Sequence, residues 1–180
     1  TEDPRGGEWL DWVESHHPEH YEAALATIWA AAIPDFAAYG SGRKNLGARI
    51  KAIRRDFDWR SEAVPDGDWG HYALPFPEAI SQTAWITDHA VRFIEACDPA
   101  LPLMAHVSYV QPHSPFGVPA ACLASVNSDA IPEPVQPTWG DDPLHPLCWD
   151  DEASHWARTT APENWRTVRR CYFADIHHLD

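Results

Sequence analysis

Positive charge is scarce in this chain. Over 180 residues, 13 Lys and Arg stand against 27 Asp and Glu, a formal net charge of −14. Such a balance repels phosphate backbones and anionic bilayers, so neither nucleic acid nor a membrane surface is expected as a partner. The acidity itself reads as solubility. Long apolar runs are missing too: no stretch approaches the ~20 residues that cross a bilayer, and the longest candidate, residues 23–33, reads as an alanine-rich amphipathic helix. No basic segment followed by an apolar one opens the chain, so no signal peptide is visible, and no compartment is assigned. The 4 cysteines (Cys97, Cys122, Cys148, Cys171) are widely spaced without a C-x-x-C pair, which points to buried thiols rather than a compact zinc site. No G-x-S-x-G elbow, phosphate-cradling glycine loop, dinucleotide fingerprint or H-E-x-x-H is present, and Gly40-Ser41-Gly42 meets none of these patterns.

What is there suffices for one domain. Hydrophobic residues make up 44%, and the length allows a real core. Trp (10) and Pro (17) are both abundant. Packing in core and loops explains the tryptophans; a sugar-stacking platform is the alternative. Residues 1–7 are polar and read as loose. Pro18 opens a helical pattern whose stripe is Tyr21, Leu25, Ile28 and Ala32, stopped by Pro34. Leu46, Ile50, Ile53 and Phe57 repeat at helical spacing, and residues 57–72 read as an irregular loop. Pro77 starts the clearest helix, with Ile80, Ala84, Thr87, Val91 and Ile94 on one face and Glu78 in the first turn. Pro99 and Pro102 end it before an apolar run at 103–110, read as a buried strand. A helix packed on a strand is the unit of an α/β layer. Prolines punctuate 117–156, read as a long loop. The last helix begins at a capping box of Thr160 and Glu163, with Pro162 in its first turn and Trp165, Val168, Tyr172, Ile176 and Leu179 on one face. Its pattern still runs at Asp180, which reads as truncation.

Among candidate chemical groups, His113 stands out. It follows the strand at 103–110 inside Pro112-His113-Ser114-Pro115, where the two prolines stiffen the backbone and fix the imidazole at a strand's carboxyl end. There it can contact an anionic oxygen or give a proton to a leaving group; a plain structural loop is the alternative. His106, within the strand, reads as a satisfied core histidine. His16, His17 and His20 read as solvated, and His177 and His178 face different sides of a helix. His145 and Cys148 have ligand chemistry but make no site alone. Asp141-Asp142 and Asp150-Asp151 could bind calcium or magnesium, though a solvated loop is the simpler account.

Three blocks in order resemble the middle of a sulfatase-family hydrolase of the alkaline phosphatase superfamily. Residues 83–94, TAWITDHAVRFI, resemble the family helix T-D-x-A-(I/V)-x-F-I. Residues 103–116, LMAHVSYVQPHSPF, resemble its apolar strand ending in P-H-x-P-(F/Y). Residues 169–180, RRCYFADIHHLD, resemble R-x-x-Y-(Y/F)-A-x-(I/V)-x-x-(L/V)-D, and residues 129–134 fit D-x-(I/V)-P-x-P. The match covers residues 77–180, and the arylsulfatase and phosphonate monoester hydrolase branch is most similar. The resemblance implies an α/β/α sandwich around a large mixed sheet, of which residues 1–180 are a partial catalytic domain. It implies hydrolysis of small-molecule sulfate esters, or phosphate or phosphonate monoesters, by a formylglycine hydrate assisted by a divalent metal (calcium, or manganese or magnesium). His113 would contact the ester oxygens. The C/S-x-P-S-R motif that supplies formylglycine is absent here, as are the metal-binding D-D, D-H-G and D-N-G segments, so both groups are expected from outside this chain. Gln111 stands where several relatives carry a basic residue. The chain alone is therefore expected to be inactive. A degenerate, non-catalytic relative and an acidic, Trp-rich module binding carbohydrate are the alternatives.

Overall fold

The computed structural model describes residues 7–27, 52–53, 71–133 and 160–180. The apolar positions near the start of the chain fold as a helical hairpin. Helix α1 (Glu8–His16) carries Glu8 and Asp11 in its first turn, where negative charge suits the helix dipole, and buries Trp9, Leu10 and Val13. The segment expected to open with Pro18 does so as a single 3₁₀ turn, Pro18–His20, which leads directly into α2 (Tyr21–Thr27). Ala23, Ala24, Leu25 and Ala26 are all buried there, because small side chains let the two helices approach closely. Ile28, Ala32 and Pro34 lie outside the described residues, as do Leu46, Ile50 and Phe57; Ile53 is buried in this same core. Trp9 locks the hairpin to the 71–133 segment. Its indole N–H donates to the Ile80 carbonyl at 2.9 Å, and its ring meets Phe76 at 6.4 Å.

The sheet is the main departure from expectation. Among the described residues it consists of two short parallel strands, β1 (Tyr72–Ala73) and β2 (Gly117–Val118), paired Tyr72 to Gly117 and Ala73 to Val118. The Tyr72 and Leu74 amides extend the pairing, donating to Phe116 and Val118 carbonyls at 3.1 and 2.7 Å. An α/β character remains, since a helix crosses between parallel strands, but the large mixed sheet does not appear among these residues. The run at 103–110 is not the buried strand its composition predicts. It joins no ladder, Met104 is 94% exposed, and Leu103, Val107 and Val110 are exposed as well. His106 is exposed rather than a core histidine. A strand needs a hydrogen-bonded neighbour to bury its faces, and no described residue supplies one.

The crossover is α3 (Gln82–Glu95), preceded by a 3₁₀ turn at Glu78–Ile80. Ser81 caps α3, its Oγ accepting from the Ala84 amide at 3.1 Å. Of the expected apolar stripe, Ile80 is buried in the turn, whereas Val91 and Ile94 are exposed together with Phe93. The proline-punctuated region is not all loop. Residues 117–133 hold β2, α4 (Ala120–Ser125) and a 3₁₀ turn at Ser128–Ala130; residues 134–159 lie outside the description. The last helix, α5 (Pro162–Leu179), has Pro162 in its first turn as expected, but Ala161 occupies the N-cap and provides no side-chain cap. Its buried face is Cys171, Ala174 and Asp175, one step round from the expected stripe, and Tyr172 is exposed. Helix α5 lies on β2 and α4: Arg170 donates to the Leu123 carbonyl at 2.9 Å, and Phe116 meets Tyr172 edge-on at 5.7 Å. No helix among the described residues is long and apolar enough to cross a membrane.

His71, just before β1, is buried and stacks on Phe116 at 4.9 Å. Burial lowers its pKa from 6.5 to about 4, because the charged ring loses its water. The folded value lies below the unfolded one, so this stabilisation is present above pH 6.5 and lost as pH falls through about 4. The expected loss is about 3 kcal/mol, at ~1.4 kcal/mol per pH unit. Urea midpoints at pH 7 and pH 4 check it: His71→Phe, which keeps the stack, should lose this acid sensitivity, and an equal acid shift in both proteins would contradict it.

Candidate functional site

Beyond the end of the 103–110 run, the chain turns sharply. The His113 amide donates to the Val110 carbonyl at 3.0 Å, and both prolines of the loop, Pro112 and Pro115, follow cis peptide bonds. Residues 110–117 form one wall of a cleft of about 250 Å³. Val110, Gln111, His113, Ser114, Pro115 and Gly117 supply that wall; Trp9, Thr27, Tyr72, Leu74, Phe76, Ser81 and Gln82 face them. Gly117 is required by close approach, since a Cβ there would lie 2.9 Å from the Tyr72 ring. The Tyr72 hydroxyl reaches the Thr27 carbonyl at 3.5 Å and ties the cleft floor to α2.

His113 is exposed, and its Nδ1 bonds the Ser114 carbonyl. A carbonyl only accepts, so this contact puts the proton on Nδ1. Nε2 is then an acceptor in the neutral ring and a donor in the imidazolium. Two further groups await partners: the buried amide oxygens of Gln82 and Gln111 have none among the described residues. Both side chains line the cleft, and buried polar groups are almost always hydrogen-bonded. Its walls combine aromatic and aliphatic surface with a few convergent polar groups, the usual make-up of a small-molecule site. The described lining has no Lys or Arg, and Gln111 leaves the position expected to be basic uncharged. It also has no carboxylate and no cysteine. The residues present thus fit neither a divalent cation nor formylglycine by themselves.

The other sequence candidates fall elsewhere. His16 is exposed on α1, with Nδ1 at 3.0 Å from the Trp12 carbonyl; His20 sits beside Glu19 at 3.7 Å. Asp141, Asp142, Asp150, Asp151, His145 and Cys148 lie outside the described residues. The described tryptophans, Trp9, Trp12, Trp85 and Trp165, are buried or half-buried, so none presents an open face for a sugar. His178, read from sequence only as one of an adjacent pair, has its side chain buried. Its Nδ1 lies 3.2 Å from Glu78 and its Nε2 3.3 Å from Ser81, which also lines the cleft.

No family model and no solved structure matches this chain. It is similar to an arylsulfatase of Clostridium perfringens (strain 13 / Type A), 27% identical over 118 residues. That alignment covers 62% of this chain and 22% of the arylsulfatase, so the chain spans under a quarter of its relative's length. The likeness is partial and distant, and its direction is towards sulfatases.

Proposed function

We propose that this chain is the central segment of a sulfatase-type hydrolase of small-molecule sulfate esters, or of phosphate or phosphonate monoesters, with the His113 cleft forming part of its ester-binding edge. The observation that carries this reading is the partial likeness to an arylsulfatase. The three motif blocks at 83–94, 103–116 and 169–180 support it, as does the position of His113 on the wall of the cleft. The exposed apolar surface of 101–110 and α3 suits an α/β/α sandwich whose mixed sheet continues across the 103–110 run. In this reading the His113 imidazolium donates from Nε2 to an ester oxygen while Ser114 holds the ring by Nδ1. Formylglycine and a divalent metal (calcium, manganese or magnesium) belong to the whole protein and come from outside this chain.

The coding DNA on both sides of the segment tests the proposal. A C/S-x-P-S-R codon run upstream and D-H-G or D-N-G downstream, both in frame, are expected; stop codons or unrelated sequence would overturn it. The purified 180-residue chain is expected to turn over no aryl sulfate or phosphonate ester, and metal-dependent turnover would contradict the assignment of nucleophile and metal ligands to other segments.

A further inference from the structure

Behind the cleft wall, three groups far apart in sequence converge. The Glu78 carboxylate, the Cys122 thiol and a ring nitrogen of His178 all lie within 4.8 Å of one another. They come from the turn before α3, from α4 and from α5, so the fold itself brings them together. The His178 side chain is 2% exposed and held at both nitrogens, by Glu78 on Nδ1 and Ser81 on Nε2. Ser81 is itself fixed as the N-cap of α3. Without a metal the Glu78 carboxylate accepts from Nδ1–H and the Ser81 hydroxyl faces Nε2; with the ring proton moved to Nε2 and donated to Ser81, Nδ1 becomes free to ligate a cation. Metal-binding histidines are oriented by this kind of outer hydrogen bond.

Asp175 is the second, independent observation. It lies three residues before His178, on the same face of α5. It is 0% exposed, and neither carboxylate oxygen has a hydrogen-bond partner among the described residues. A buried carboxylate with no partner is costly. Its charge is felt at the Cys122 thiol, whose pKa is pushed up by burial, by Glu78 and by Asp175. Without a cation these acidic groups work against one another; a divalent cation among them reverses the sign of each interaction.

We infer that Glu78, Cys122 and His178, with the buried Asp175 behind them, form a binding site for one borderline-soft divalent cation of the zinc class. A thiolate with an imidazole and carboxylates selects zinc or cobalt, whereas calcium and magnesium take shells of oxygen alone. Metal–ligand bonds of about 2.0–2.3 Å require the donors to close by roughly an ångström, and Glu78, the exposed member, has room to make that movement. On binding, the Cys122 S–H bond breaks, its proton passes to solvent, and the thiolate, imidazole and carboxylate bond the metal, with no change of oxidation state. Such a cation would pin the turn, α4 and α5 together. The inference does not depend on the hydrolase reading.

Cobalt(II) titration of the full chain, stripped of metal, tests this. One equivalent should produce a thiolate-to-cobalt charge-transfer band in the near ultraviolet. Zinc should erase it and excess calcium should not. Cys122→Ser should abolish the band, Cys97→Ser should keep it, Ser81→Ala, which removes the outer hydrogen bond on His178, should weaken binding about 10–100-fold, and His178→Gln, which removes a ligand, should weaken it more. Saturating zinc should raise the melting temperature by about 5–10 °C in the wild type and in Cys97→Ser but not in Cys122→Ser. Absence of the band, its survival in Cys122→Ser, or its displacement by calcium would each overturn the inference.

Discussion

Replacing Asp175 by asparagine is expected to stabilise the fold at pH 8, measured with a chelator present, by several kcal/mol. Asp175 is wholly buried, and burial raises its pKa from 3.8 to about 7. The neutral acid is tolerated in the interior between α5 and its neighbours; the carboxylate is not. A folded value above the unfolded one means that the native state holds a proton the unfolded chain has released. Stability is therefore full below pH 3.8, falls as pH rises, and has lost about 4 kcal/mol once pH passes about 7. Asparagine carries no charge to bury, so the variant should match the wild type near pH 4 and exceed it at pH 8. Chemical denaturation across that range reads both the gain and the flattened slope. Equal stability of the two proteins at pH 8 would show that the carboxylate is compensated in the fold. The His71 effect runs the opposite way and at lower pH, so the two single variants separate the contributions.

Asp175 also shows where the sequence could be read and where it could not. Helix α5 was legible in extent, because Pro162 fits a first turn and the apolar residues recur at helical spacing. Its inward face was not. The large residues suggested Tyr172 and its neighbours, yet Cys171 and Ala174 are buried, since small side chains allow β2 and α4 to pack close. Helix α1 was missed although Trp9, Leu10 and Val13 follow acidic residues suited to a first turn. The 103–110 run has a strand's composition, but a strand is defined by its neighbour, and composition names no neighbour. His178 reads only as one of two adjacent histidines on different sides of a helix, because partners 100 and 97 residues away leave no trace in local spacing. The His113 loop was legible because its prolines act locally, on the residues beside them.

The second large effect concerns catalysis. If the His113 cleft is the ester-binding edge of a sulfatase-type enzyme, removing the imidazole removes a positioned proton donor, which contributes about 10²–10⁴-fold to such reactions. No lysine or arginine among the described lining residues can replace it. His113→Ala should therefore lower kcat/KM by about 10²–10⁴-fold in the protein encoded by the complete reading frame. His106→Ala, four residues before Val110 at the start of the turn and outside the cleft lining, should leave turnover within a few-fold of the wild type. The melting temperatures of both variants, read beside that of the wild type, separate a loss of turnover from a loss of folding.

The most direct measurement is hydrolysis of 4-nitrophenyl sulfate and of a phenyl phosphonate ester by that complete protein, beside its His113→Ala variant. Metal-dependent turnover of at least one ester, lost in the variant with its melting temperature unchanged, is the predicted result. No turnover of either ester by the wild type, or equal turnover by the two proteins, would contradict the assignment of this cleft to ester hydrolysis.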